Sequence, residues 1–323
     1  MNMYGKFTAA LWVPVLVLAA LMAGCTDSGT GIVSGPSMAV APSFTNTTAT
    51  FPLGKARSCS FLVSGYPSPK VRLSGSLPAG LSFDTTTGLL SGTAGNGTVG
   101  RYHLTLTASN GIAPDAVTDF TLFVSNSAII ICNSLNVDQS SALSNMGGKF
   151  NAAGISGWYT TGVPDSTCLY AQIWDIRYDS LLSRSDIAKY TSYLQCGGSL
   201  VLIGENTGFI ARNNSLSSLV TSLGNDGITF VSASNTQQVL PPFTGPDTVS
   251  SVNFLAGAGT QDPGKASFVT KDANGVGMSF VFWPGTLPAA PAGRLFLICD
   301  INFMETSANA ASQTFVQNII VNL

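Results

Sequence analysis

The stretch Gly197-Gly198-Ser199-Leu200-Val201-Leu202-Ile203-Gly204-Glu205-Asn206 restricts the fold of this chain more than any other. Its apolar run, entered through a glycine pair and left through a polar tip, leaves no face for water. Such a run suits a parallel strand covered on both sides. A helical pattern flanks it on each side. Ile187, Tyr190 and Leu194 share a face over 185–195, where Gly197 supplies the left-handed stop. Leu216, Leu219, Val220 and Leu223 recur at helical spacing over 213–223, ahead of Gly224.

The alternation continues through 127–323. Apolar runs at 128–132, 169–175 and 295–300 lead to Asn133, Asp175 and Asp300. Helices are expected over 140–150 and at the end, where Phe315, Val316, Ile319, Ile320 and Leu323 mark one face. Residues 267–271 and 278–283 read as a hairpin turning at Asn274-Gly275, and 230–264 reads as loop. The order predicts a layered α/β domain with a mainly parallel sheet. In open parallel sheets ligands bind beyond the carboxyl ends of the strands. Asn133, Asp175, Glu205, Asn206 and Asp300 are therefore ligand-binding candidates, with Asn302 just beyond and Arg212 reaching in from a helix start. Clustered carboxylates there can hold a divalent cation or a sugar hydroxyl. The competing reading makes each a cap, with Arg212 neutralising one acid. Trp158, Tyr159 and Trp174 are candidates for a sugar-binding surface or for packing.

Tyr190 through Gly204, followed by Arg212-Asn213 at the next helix start, resembles the class I glutamine amidotransferase-like, flavodoxin-like fold. That resemblance implies a cysteine on the turn after the strand and a distant histidine as base. Glu205 and Asn206 occupy the turn instead, and the single histidine, His103, lies outside this segment. A Cys–His or Ser–His site is therefore not expected, nor is amidotransferase activity. Gly259 to Ala266 approaches a phosphate-binding loop but has Ala266 at the magnesium-ligating position and a strand after it, so a plain loop is expected. Gly154-Ile155-Ser156-Gly157 lacks the spacing of a nucleophile elbow.

Residues 42–126 read as short strands separated by turns, the pattern of a sandwich. In 101–108, Tyr102, Leu104, Leu106 and Ala108 alternate with polar neighbours, and Phe120, Leu122 and Val124 repeat the alternation. Further strands are expected at 58–63 and 71–73. The order Leu77-Pro78-Ala79-Gly80-Leu81-Ser82-Phe83-Asp84, Thr87-Gly88-Leu89-Leu90-Ser91-Gly92-Thr93, Gly100-Arg101-Tyr102 and Ala108-Ser109-Asn110-Gly111 resembles the Ig-like, cadherin-like repeat of bacterial surface proteins. It implies a seven-stranded spacer or adhesive module. Some such repeats bind calcium, but Asp84, Asp115 and Asp119 are scattered without a D-x-D-x-D run, so no metal site is assigned and calcium stays a secondary expectation.

At the start, Lys6, the apolar run 7–22 and Leu21-Met22-Ala23-Gly24-Cys25 resemble a bacterial lipoprotein signal, which implies lipid on Cys25. Thr26 in place of an Asp implies the outer membrane. Residues 1–24 are then the signal peptide and 25–41 a polar tether. An oxidising envelope permits disulfides. Cys168 and Cys196 each precede an expected strand, hence lie at one end of the sheet, and form the candidate pair; Cys132 and Cys299 end apolar runs as core thiols. No CxxC spacing indicates zinc or redox chemistry. With 9% charged residues, a net charge of −2 and no basic stripe, nucleic acid is not an expected partner.

The expectation is an outer-membrane lipoprotein without a catalytic role or cofactor. Its Ig-like sandwich would present an α/β domain to an envelope glycan or protein partner. The alternatives are a carboxylate- or metal-dependent glycan hydrolase using Asp175, Glu205 and Asp300, and a calcium-aided adhesion protein.

Overall fold

The computed structural model describes residues 38–134 and 136–323. The lipoprotein signal, Cys25 and most of the tether lie outside these residues. What is described is mostly β-sheet, with an Ig-like N-terminal domain, several sheets and four α-helices.

The N-terminal domain contains β1 (Val40–Phe44), β2 (Thr48–Pro52), β3 (Ala56–Ser60), β4 (Val63–Tyr66), β5 (Lys70–Ser74), β6 (Leu81–Asp84), β7 (Leu89–Thr93), β8 (Gly100–Ser109) and β9 (Ala116–Ser125). Four strands in the order β2-β9-β8-β5 face three in the order β3-β7-β6, and β1 pairs with β4 at the margin. Alternation drives the packing: Leu104, Leu106, Ala108, Phe120, Leu122 and Val124 are buried in one cluster with Ala49, Phe51 and Leu90. The expected strand over 58–63 divides into β3 and β4, because Phe61 turns into the core and meets the Phe120 ring edge-on at 5.0 Å. Glycine is required where Gly80 and Gly92 let two backbones touch. At φ +92° a Cβ on Gly80 would lie 2.0 Å from the Thr93 carbonyl oxygen.

Then follow β10 (Ser127–Ile131), α1 (Val137–Ala152), β11 (Ser156–Thr160), β12 (Gln172–Asp175), α2 (Arg184–Gln195), β13 (Ser199–Gly204) and α3 (Ile210–Ser222). The excursion after α3 is less regular. It contains β14 (Val231–Ser232), β15 (Thr236–Val239), β16 (Ser251–Asn253), β17 (Ala258–Gly259), β18 (Ser267–Phe268) and β19 (Thr270–Lys271). β20 (Ser279–Phe282), β21 (Arg294–Cys299) and α4 (Ala310–Asn322) close the chain. Seven strands form one sheet in the order β11-β10-β12-β13-β21-β20-β18, with the first five mutually parallel. All six residues of β13 are buried.

Alternate residues divide between two cores. Ile130, Trp174, Val201, Ile203, Phe296 and Ile298 pack with residues of α1 and α4. Ile129, Ile173, Leu200, Leu202, Leu295 and Leu297 pack with residues of α2 and α3. Helix starts follow local chemistry. Asn136 caps α1, and Ser183 with Asp186 forms a reciprocal capping box on α2. Trp174 is a core residue rather than part of a sugar surface. It packs edge-on against Phe150 at 5.8 Å, and its indole donates to Gln172 Oε1.

The sandwich is joined to the amino end of this sheet. Thr50 N donates to the Cys196 carbonyl at 2.6 Å, Thr50 Oγ1 to the Cys168 carbonyl at 2.8 Å, and Ser125 Oγ to the Leu169 carbonyl at 2.7 Å. Arg57 reaches Ser199, the first residue of β13, at 2.8 Å. Cys168 and Cys196 form a disulfide at this end, with Thr48 Oγ1 2.7 Å from the Cys196 sulfur.

Candidate functional site

Strand register decides which tip residues meet. Gly204 pairs with Cys299, so Glu205 and Asp300 leave neighbouring strands at one level. Asp175 pairs with Leu202, three residues lower on β13, which is about 10 Å at ~3.3 Å per residue. Asp175 also shares the face of Ile173, against α2 and α3. The seven predicted residues therefore do not converge on one open edge.

Asp175 is fully buried, where its oxygens accept from Arg177 Nε and Nη2 at 2.9 and 2.8 Å and from the Tyr190 hydroxyl at 2.8 Å. Arg212 Nη1 stands 3.6 Å away. Burial opposes ionisation of Asp175, but Arg212 and Arg177 outweigh it and hold the carboxyl below the usual carboxylate range. Arg212 is 1% exposed and faces the interior, donating from Nε to the Ile203 carbonyl at 2.8 Å and from Nη1 to the Ser180 carbonyl at 3.0 Å. It locks α3 to the β12 and β13 tips and does not reach a rim.

Glu205 and Asp300 use their carboxyl groups as backbone caps. Glu205 Oε1 accepts from Asn206 N at 2.9 Å, and Oε2 accepts from Ile301 N at 3.4 Å. Asp300 accepts from the main-chain N–H groups of Leu255, Ala256 and Asn302. Neither carboxylate forms an ion pair among the described residues. Burial, reinforced by Asp300, pushes Glu205 up to about 7. Burial likewise pushes Asp300 up to about 6. Asp300 is the positive-φ non-glycine residue of the described chain, at φ +100°, a conformation that L side chains avoid. Its three backbone acceptor bonds hold that turn.

Asn206 closes a turn by accepting from Gly208 N at 2.9 Å. Asn302 donates its amide to Glu305, and Asn133 donates to Ser180 Oγ at 2.8 Å. An open cleft of about 310 Å³ near this edge is lined by Asn302, Glu305 and Asn309, but not by Asp175, Glu205 or Asp300. The residue that sequence reasoning did not place among the candidates is Asn213. Its Oδ1 accepts from Glu205 N at 3.1 Å, while Nδ2 donates to the Glu205 and Asn206 carbonyls at 2.9 and 3.2 Å. Its position in Arg212-Asn213, at the helix start, was the available signal. Glycine at 204 makes this clamp possible, since a Cβ there would lie 3.0 Å from Asn213 Oδ1 and 2.9 Å from Cys299 Sγ.

The turn after β13 presents no nucleophile. Cys132 and Cys299 are buried, and His103 is exposed on β8 in the other domain. Among the described residues no group of three His, Cys, Asp or Glu side chains is arranged to hold a metal ion. Trp158 and Tyr159 are each 64% exposed on the outer strand β11. They pair with Ile129 and Ile130, which belong to opposite cores, so the two rings stand on opposite faces of the sheet.

No curated protein matches the chain. Solved structures similar to it include the "mmIFT52 N-terminal domain", with 8% identity over 60% of this chain and 94% of that one and a TM-score of 0.46. Another is an exo-β-1,4-mannosidase from an Opitutaceae bacterium, with 12% identity over 60% of this chain and 35% of the enzyme and a TM-score of 0.43. This chain thus spans about a third of that enzyme's length. A third is human protocadherin-24 EC1-2, with 17% identity over 28% of this chain and 52% of that one and a TM-score of 0.23. Residues 41–125 match the family described as "Putative Ig domain", and the chain therefore carries an Ig-like domain ahead of its seven-stranded sheet.

Proposed function

We propose that this is a non-catalytic binding protein of the bacterial envelope, held at the outer membrane by lipid on Cys25. In this reading 127–323 is a layered α/β domain resembling the amidotransferase class but without its catalytic residues. The Ig-like domain braces the amino end of the sheet, and the carboxyl end, the loops beyond it and strand β11 meet an envelope glycan or protein. The observation that carries the proposal is the fate of the tip carboxylates. Asp175 and Asp300 are 0% exposed and Glu205 is 4% exposed, each engaged by main-chain N–H groups or by arginine. General acid–base work requires a carboxyl group within hydrogen-bond reach of a substrate proton. The glycan-hydrolase alternative needs two of these groups together in an open cleft, and their burial favours the binding reading over it. The calcium-aided alternative gains no support from the scattered Asp84, Asp115 and Asp119.

Two measurements test the proposal. Cells expressing the full chain with a clickable palmitate are expected to label it, and Cys25→Ala to abolish the label. Retained label in the variant would overturn the anchor. Immobilised full-length protein is expected to retain envelope glycan fragments or a specific envelope protein reversibly and unmodified. Release of shortened glycan would overturn the binding role.

A further inference from the structure

The seam between the sandwich and the seven-stranded sheet lies at the opposite end of that sheet from the strand tips. There Arg57 and Arg294 lie without an ion-paired aspartate or glutamate among the described residues, and the Ser199 hydroxyl that Arg57 contacts donates to the Leu323 main-chain oxygen at 3.1 Å. Arg57 on β3 is 6% exposed; its Nη2 donates to Ser199 Oγ, while Nε and Nη1 are buried without a hydrogen-bond partner. Arg294, the first residue of β21, also has a buried Nε with no partner, and its guanidinium lies 6.0 Å from the Trp283 ring centroid. Lys55 donates to the Val321 carbonyl. None of the ion pairs among the described residues involves Lys55, Arg57 or Arg294. Native proteins rarely leave buried guanidinium donors unpaired, because those groups give up water without replacement.

Both arginines line a cleft of about 390 Å³ together with Ser58, Ser91, Thr93 and Pro284. We infer that this inter-domain cleft is an oxyanion site, in which Arg57 and Arg294 together hold a phosphate, sulfate or carboxylate group. A guanidinium presents a fork of donors that matches two oxygens of such a group. The electrostatics agree with this reading. Burial and then repulsion from Arg294 lower Arg57 to about 9, and Lys55 is lowered by burial and then by Arg294 and Arg57. An anion in the cleft would relieve the repulsion between Arg57 and Arg294. Because the arginines come from different domains, its binding also ties the sandwich to the sheet.

The test is calorimetric titration and thermal denaturation of the full chain, in chloride at matched ionic strength, with inorganic phosphate, sulfate and glucuronate as probes. Saturable binding of at least one probe at a single site, with a raised Tm, is expected. Preference for phosphate or sulfate would identify a free inorganic anion as the source, and preference for glucuronate an acidic glycan. Arg57→Gln and Arg294→Gln are each expected to weaken binding at least tenfold. The second variant keeps the Arg57–Ser199 bond and so remains informative if the first fails to fold. Absence of saturable binding by all three probes, or binding undiminished in Arg294→Gln, would overturn the site.

Discussion

Replacing Glu205 by glutamine removes a charge while keeping the shape of the β13 turn. Glu205 is pushed up to about 7 from an ordinary value of 4.5. That gap is equivalent to about 3 kcal/mol between the protonated and ionised forms, at ~1.4 kcal/mol per pKa unit. Because the folded value is raised, its stabilising contribution is fully present below pH 4.5 and is lost as pH rises through about 7. Wild-type stability should therefore fall between about pH 5 and 8, and Asp300, raised to about 6, adds to the fall. Glutamine keeps the Oε1 acceptor for Asn206 N but introduces an amide donor that needs a partner, at a cost of about 1 kcal/mol. The expected outcome is Glu205→Gln less stable than wild type by about 1 kcal/mol near pH 4.5 and more stable by about 2 kcal/mol near pH 8. Urea denaturation across that range reads the crossover directly. A stability difference independent of pH would show that the Glu205 carboxyl titrates alike in the folded and unfolded chain and would refute the reasoning.

Asp175→Asn leaves Arg177 and Arg212 without their shared counter-charge, so a loss of about 3–5 kcal/mol is expected in denaturant melts. Opening the Cys168–Cys196 disulfide, which spans 28 residues, should cost about 3–4 kcal/mol by chain entropy, read by comparing reduced and oxidised protein. Gly80→Ala drives a methyl group into the Thr93 carbonyl at a left-handed backbone position. A loss of about 2 kcal/mol or more is expected, whereas Gly97→Ala, with nothing within 4 Å but the same sign of φ, should cost only the conformational part, about 1 kcal/mol.

Periodic segments were the legible part of the fold. Ile187, Tyr190 and Leu194 announced α2, and the strict alternation of 101–108 announced β8, because burial on one face leaves a repeat in the sequence. β11 was not legible: Ser156-Gly157-Trp158-Tyr159-Thr160 is an exposed outer strand, so neither face imposed a pattern. α3 begins at Ile210, ahead of the expected 213, after Phe209, which offers no side-chain cap to mark the start. In the candidate site, residue types at the strand tips were readable, but their levels were not. Three residues of offset between β12 and β13 put Asp175 beneath Glu205, and offsets of that kind are set by pairing across the sheet. The seam was equally hidden, since nothing in the sequence around Thr48, Thr50 and Arg57 marks them as contacts to the seven-stranded sheet.

The proposed binding role leaves the carboxylates at the strand tips as turn braces that perform no chemistry. Its most direct test is turnover of an envelope-glycan panel by the purified full chain from about pH 5 to 8. Product no greater than in the buffer blank is expected at every pH, for the wild type and for Glu205→Gln alike. Turnover by the wild type that disappears in Glu205→Gln while the variant remains folded would contradict it.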